Sequence, residues 1–408
     1  MTTAAQWTRR SVVAGMVGTP VLLVAACSGP DSKGSGDGAN GGRDGASAPA
    51  KVTKATVTVT PKNGATGADM TAPVTVRVAL GTLESVSLTG PDGKQIPGQL
   101  SADRTSWTSS GRLASSSSYK LAAVSKDTEG TTGTTASGFS TGRPVKAFVG
   151  TFNPDHGTTV GVGMPVTITF DNAITDKAAV QKAVTVTAEP PVEIVGHWFG
   201  DNRLDFRPQE YWKPGTRVTL TLALKDVEGA KGRFGTQART VSFTIGRSQT
   251  SVADLASHQL TVTRDGEVAQ TFPISGGSPE HTTWAGKMVI SEKLLQTRMD
   301  SRTVNLGGEY DIADVPHAQR LTTSGTFIHG NYWSSGIFGN ENTSHGCVGL
   351  QDAKGAGDPS TPAAKFYNSS MVGDVVEVIN SGDRTVSPAN GLNGWNLDWT
   401  SWKAGSAV

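Results

Sequence analysis

Between positions 329 and 347 the chain offers two imidazoles and one thiol. They lie in the stretches His329-Gly330-Asn331-Tyr332-Trp333 and Ser344-His345-Gly346-Cys347-Val348-Gly349-Leu350. At its free pKa a thiol is only a few per cent thiolate near neutral pH. An adjacent imidazole raises that fraction and makes a nucleophile. Gly346 lets the backbone turn tightly, so that its N–H and that of Cys347 can face the oxygen of a tetrahedral intermediate. His329 directly follows Thr326-Phe327-Ile328 and so sits at a strand end, a place that holds a base rigidly. His345 shares a face with Cys347 only if the segment between them is extended. Two blander uses compete: Cys347 as a small buried hydrophobe, and a zinc site of His329, His345 and Cys347 with water in the fourth position. No His-x-x-x-His or Cys-x-x-Cys spacing supports the metal. The Gly and His neighbours and the exported context described next argue against an inert thiol.

The chain has two cysteines, Cys27 and Cys347. Residues 1–27 read as an export signal: Arg9 and Arg10 precede a mostly apolar run over 12–26 that is short for a bilayer span. Val24-Ala25-Ala26-Cys27 resembles a bacterial lipobox, which implies a lipidated Cys27 and an anchor in the membrane. Thr8-Arg9-Arg10-Ser11-Val12-Val13 resembles a twin-arginine signal more loosely. The competing reading is an ordinary secretory signal with an incidental Cys. Residues 28–50 are Gly, Ser, Asp, Asn and Ala with almost no large apolar side chain. That composition reads as a flexible tether with a root-mean-square span of roughly 25–30 Å. With Cys27 acylated, Cys347 is left unpaired in an oxidising compartment, a candidate reactive thiol.

The elements that must position this chemistry are β-strands. A length of 408 residues predicts two or three domains. Gly 50 and Pro 20 disfavour a helical bundle, a coiled coil or a polytopic membrane protein. A net charge of +1 without clustered cations excludes a general nucleic-acid binder. From 51 to about 247, short β-branched alternations such as Ala55-Thr56-Val57-Thr58-Val59-Thr60 and Val218-Thr219-Leu220-Thr221-Leu222 predict half-buried antiparallel strands. Met70-Thr71-Ala72-Pro73-Val74-Thr75-Val76 repeats as Met164-Pro165-Val166-Thr167-Ile168-Thr169. We read two tandem immunoglobulin-like sandwiches, 51–145 and 146–248, as a stalk or, more simply, a spacer. From Gln249 the texture changes. A hairpin around Asp265-Gly266, strands at 288–290, 326–328 and 375–379, and a short helix at 363–368 are expected, with Gly/Ser/Asn loops between them.

The segment 329–350 resembles the signature of the L,D-transpeptidases of bacterial peptidoglycan: a His, a short spacer, then Ser/Thr-His-Gly-Cys. The resemblance spans the mature chain. Two immunoglobulin-like domains, then a catalytic domain, with lipobox and tether, are similar to the actinobacterial members. It implies a mainly β architecture with a catalytic β-sandwich over 249–381 and a Trp-rich C-terminal extension, 382–408, packing back on that domain. The extension carries Trp395, Trp399 and Trp402, which by themselves read as packing residues. By resemblance Cys347 is the acylated nucleophile, His329 the base oriented by the Gly330 carbonyl, His345 a supporting residue, and Gly346 with Cys347 the oxyanion-hole backbone. Ser324, Tyr310 on an active-site flap, Trp333, Gly330 and Ser344 make up the substrate-binding set. Relatives commonly carry Asn, some Arg, where this chain has Gly349, which removes a side chain that would hold the donor stem.

The reaction implied is transfer from a tetrapeptide stem through a thioester on Cys347 to the side-chain amine of a second stem, a 3→3 cross-link. It needs no metal or organic cofactor and is open to carbapenem acylation. The expected partners are peptidoglycan stem peptides and, through the lipid, the outer face of the cytoplasmic membrane; no nucleic acid is expected. The alternatives are an L,D-carboxypeptidase, with water as acceptor, and a non-catalytic wall-binding lipoprotein. A papain-like protease fits less well, because its Cys lies near the mature N-terminus with the His far downstream.

Overall fold

A computed structural model describes residues 51–304 and 307–408. The expected export signal, Cys27 and the 28–50 tether lie outside the described residues. Among the described residues no helix is long and apolar enough to cross a membrane.

The architecture is mainly β, as the alternation predicts. Strand Ser118–Asp127 shows why: every second residue is buried, Tyr119, Leu121 and Ala123 among them, while Lys120 and Ala122 face water. It lies in a four-stranded sheet with Gln95–Ile96, Gly81–Thr89 and Thr132–Ser140. A second four-stranded sheet, ordered Thr56–Thr60, Thr75–Ala79, Ser106–Ser109 and Gly98–Leu100, lies in the same segment of the chain. Val76, Leu83, Trp107 and Leu121 share one core. The next segment repeats the plan. One sheet is ordered Gly150–Asn153, Val166–Phe170, Arg203–Arg207, Val195–Phe199; the other Thr159–Val160, Ala238–Ile245, Arg217–Ala223, Val184–Glu189. The repeated motif occupies equivalent places. Thr75–Ala79 pairs antiparallel with Thr56–Thr60 in the first sandwich, and Val166–Phe170 with Gly150–Asn153 in the second. Val74, Val76, Val166 and Ile168 are all buried.

Residues 249–379 build one nine-stranded sheet. Its order is Gly286–Val289, Val375–Ile379, Gln249–Asp254, Gln259–Arg264, Glu267–Ser275, Val348–Gln351, Phe327–Asn331, Asp311–Arg320, Glu292–Asp300. Strands far apart in that order supply one core, with Val376 and Val378 joining Ile328, Val348 and Leu350. Asp265 (φ 49°) and Gly266 (φ 92°) form the hairpin turn that the Asp-Gly pair predicts. Helix Pro362–Ser369 starts where Thr361 accepts a hydrogen bond from Ala364 N–H, with Pro in its first turn, and buries Phe366. The long hairpin of Glu292–Asp300 and Asp311–Arg320 was not expected. Glu292–Asp300 is exposed or half-exposed along its length and Asp311–Arg320 is buried without a break over 315–319, so no clean alternation marks either strand.

The C-terminal extension departs from expectation in where its aromatics pack. Asn393 and Asn396 do bind the catalytic sheet, through Val289 N–H and Lys287 N–H. The indoles face the second sandwich instead. Trp395 Nε1 donates to Gly163 O and Trp402 Nε1 to Val195 O, and Trp402 stacks on His197. The reason is Arg207. Its guanidinium is buried in the second sandwich, 4.5 Å from the Trp395 ring centre and 4.3 Å from that of Trp402. It donates to Gly394 O and Leu397 O. A buried cation needs acceptors and π-faces, and the tail supplies both. The spacer reading of the second sandwich therefore falls short: it shares a core with Val289, Leu392 and Trp395.

Candidate active site

The parallel pair Phe327–Asn331 and Val348–Gln351 creates the site. Its register sets Ile328 beside Val348 and His329 beside Gly349. Ile328, Val348 and Leu350 all point into the core. Side chains alternate along a strand, so His329 faces away from the core, and so does Cys347, one residue before Val348. The two line one cavity together with Tyr310, Asn331, Trp333 and Gly349.

His329 is buried, and its Nδ1 lies 2.8 Å from Gly330 O. A carbonyl can only accept, so Nδ1 carries the proton and Nε2 is free to take another. Trp333, itself 42% exposed, stacks on the imidazole at 5.8 Å. Burial pushes the His329 pKa below its ordinary 6.5, opposed by the Gly330 hydrogen bond and the charge of Asp352. The ring is neutral at pH 7. Asp352 escaped the sequence reading. It lies just beyond the strand of Val348, and its carboxylate holds His317 Nδ1 at 2.7 Å and Thr361 Oγ1 at 2.8 Å. Gly330 lies against it so closely that a Cβ there would meet Asp352 Oδ2 at 1.9 Å. Gly330 thus acts through its carbonyl and its lack of a side chain, not as a lining of the cavity. A small residue beside a candidate base was the available signal.

Cys347 is half-buried, and its Sγ lies 3.7 Å from Gly325 O, to which the S–H donates. Burial pushes the thiol up to about 11, eased in part by a hydrogen bond from the Phe327 backbone. Burial thus disfavours the charged form of both groups, the thiolate of Cys347 and the imidazolium of His329.

The turn 344–347 explains two further departures. Ser344 Oγ donates to Cys347 O at 2.6 Å and accepts from Gly346 N–H at 3.2 Å. Ser344 therefore staples the turn, with its one proton committed, and does not offer a donor to substrate. Gly346 is needed for its φ of 108°, but its N–H is already occupied, so it does not serve the oxyanion as expected. The Cys347 N–H has no acceptor among the described residues. Tyr310 supplies a second donor near the thiol. Burial, with the Cys347 charge next, pushes its hydroxyl up to about 12, so it keeps its proton.

His345 lines the cavity of Cys347 as well, and its Nε2 lies 3.2 Å from Glu309 Oε2. Ser324 lies outside the cavity of Cys347. Its hydroxyl accepts from Asn390 of the tail, and it lines a second cavity with Gly325, His345, Gly346 and Asp383. Gly349 lies abreast of His329, and a Cβ there would meet its nearest atoms at 3.6–3.8 Å, ordinary contact. Glycine at 349 is thus not demanded by sterics, and the cavity floor is open there.

Comparison with known proteins agrees with the geometry. Residues 248–378 match the L,D-transpeptidase catalytic domain and residues 65–228 the bacterial Ig domain. L,D-transpeptidase 2 of Mycobacterium tuberculosis is 35% identical over 360 residues, 87% of this chain and 85% of that protein. L,D-transpeptidase 5 of the same organism is 33% identical over 86% of this chain and 77% of its own length. A solved L,D-transpeptidase in complex with imipenem aligns with a TM-score of 0.48 and 30% identity, covering 58% of this chain and 100% of that one. From its catalytic signature and its match along most of these relatives, the chain belongs to the L,D-transpeptidase family.

Proposed function

We infer that the protein is a peptidoglycan L,D-transpeptidase that forms 3→3 cross-links through a thioester on Cys347. The observation that carries this reading is the shared cavity of Cys347 and His329, with the imidazole held by Gly330 O so that Nε2 is the free nitrogen. In the proposed acylation, Cys347 S–H gives its proton to His329 Nε2 as sulfur attacks the carbonyl of the third stem residue. Concerted transfer suits a pair that is neutral at rest. The oxyanion is met by Cys347 N–H and the Tyr310 hydroxyl. The amide C–N bond then breaks, the terminal D-residue leaves with the proton from His329, and a thioester remains. In the second half, His329 takes a proton from the side-chain amine of another stem. That amine attacks the thioester, and the thiol is restored. Asp352, behind Gly330, favours the transient imidazolium.

A second cavity beyond Tyr310, lined by Ser324, Gly346 and Asp383 among others, offers room for an acceptor stem and so supports a two-substrate reaction. Attachment by a lipid on Cys27, with the domain plan 51–145, 146–248, 249–381 and 382–408, belongs to the same proposal and sets the site in the cell wall. A carbapenem acylates the same sulfur by opening its β-lactam ring. Intact-mass analysis after carbapenem exposure tests the assignment: the chain gains one adduct, and Cys347→Ala gains none. An adduct on the Ala variant removes Cys347 as the nucleophile. Incubation with a tetrapeptide then separates dimer formation from release of a tripeptide.

A further inference from the structure

Three side chains that this chemistry leaves unused converge beside the catalytic turn. Glu309 Oε2 lies 3.2 Å from His281 Nε2 and 3.2 Å from His345 Nε2. All three potential ligand atoms lie within 4.8 Å of one another. They come from separate parts of the domain. His281 follows the strand ending at Ser275, Glu309 precedes Tyr310 on the flap, and His345 belongs to the turn that carries Cys347.

Zinc bonds of about 2.0–2.2 Å to nitrogen and oxygen put tetrahedral ligands roughly 3.3–3.5 Å apart. The two His–Glu edges are already close to that value, and side-chain rotation closes the third. Two imidazoles with one carboxylate suit zinc and its transition-metal neighbours, whereas calcium and magnesium prefer oxygen alone. The side chains are 28%, 44% and 37% exposed for His281, Glu309 and His345, so an ion can enter and leave. Three ligands leave one position for water, as in open zinc sites.

We propose that His281, Glu309 and His345 form a binding site for one divalent transition-metal ion of the zinc class. The ion ties the flap to the catalytic turn. Tyr310 follows Glu309 directly, and its ring lies 5.0 Å from that of His345. A bound ion therefore fixes Tyr310 beside the thiol and restricts its movement for incoming substrate. The site itself does not depend on the cross-linking reading; only this consequence rests on it.

The test uses the full chain carrying Cys347→Ala, so that the active-site thiol cannot bind metal, with Cys27 common to every protein compared. It is titrated with zinc by calorimetry near neutral pH, and the titration is repeated after adding His281→Asn or Glu309→Gln. One zinc per chain is expected in the background protein, with affinity at least about tenfold weaker in each double variant. Circular dichroism checks that both double variants keep the parent fold. In the chain with Cys347 intact, zinc slows carbapenem acylation, and the effect is lost in His281→Asn. Three results overturn the proposal: no zinc bound without Cys347, equal affinity in both double variants, or zinc inhibition that persists in His281→Asn. Calorimetry reads binding alone, so a failed cross-linking assay leaves its outcome intact.

Discussion

Alkylation of Cys347 near neutral pH will be slow, and removing His329 will not make it slower. Burial is the largest influence on the thiol and moves it from 9.0 to about 11. Two units mean about a hundredfold less thiolate at pH 7. The rarer thiolate is intrinsically more reactive. With a Brønsted slope of about 0.4–0.5, two units return nearly tenfold, so alkylation should run about tenfold slower than for an unperturbed cysteine. A resting thiolate–imidazolium pair would behave oppositely, titrating at ~4 or below in the strongest cases, and would lose that low value with its histidine. The assay is iodoacetamide alkylation against pH, scored on the Cys347 peptide by mass spectrometry so that Cys27 is counted apart. A single titration near 11 is expected in both the parent chain and His329→Gln, while carbapenem acylation in His329→Gln falls by about 10²–10⁴-fold. The acid limb of acylation should lie below pH 6.5, because the base must be neutral and its pKa is lowered; rates rise with pH through that limb. A Cys347 that titrates below pH 7, or shifts by more than about one unit in His329→Gln, refutes the neutral-pair mechanism.

Gly330→Ala should fold but lose about 10²-fold in acylation, since its Cβ would lie 1.9 Å from Asp352 Oδ2 and must displace the carbonyl that holds His329; unchanged rates would show that this carbonyl does not orient the base. Gly349→Asn should keep its stability within about 1 kcal/mol, given ordinary contacts at the added Cβ. It should change KM for a stem tetrapeptide more than carbapenem acylation; a loss in both alike would mean that the open floor is required for the chemistry. Arg207→Ala should cost roughly 3–5 kcal/mol in denaturant unfolding, because it removes a buried cation bound to several carbonyls and two indoles; a loss under 1 kcal/mol would show that the tail packs without it.

Much of this site could be read from the chain because it rests on two short periodic strands. Ile328 and Val348 must face the core, and that alone turns His329 and Cys347 the other way. The tight turn at Gly346 was legible for a similar local reason, whereas the role of the Gly330 carbonyl came only from the family resemblance. What stayed hidden depends on partners distant in sequence. The resting charge of Cys347 follows from desolvation, which no neighbour in the motif announces. The commitment of Ser344 to its own turn competes with a substrate role, and only geometry decides between them. Asp352, the flap hairpin and the grouping of His281 with Glu309 have no motif and are brought together by the sheet. The Trp-rich tail was expected to pack on the catalytic domain, as Asn393, Asn396 and Val386 do; the second host of its indoles was missed because Arg207 gives no hint in sequence that it is buried.

The seam between the second sandwich and the catalytic sheet also bears on how the enzyme can be cut and how it reaches its substrate. Gly161 N–H donates to Val372 O, Gly163 N–H to Gly373 O, and Arg247 pairs with the buried Asp374. The tail then locks both sides together. A truncation at 248 would expose the indoles on one side and take the tail's acceptors from Arg207 on the other, so the smallest soluble catalytic fragment should begin before the second sandwich. The same weld removes a swivel at that joint. The mouth of the enzyme is aimed by the orientation of a two-domain block, and any search for substrate must be made by moving that block as a whole.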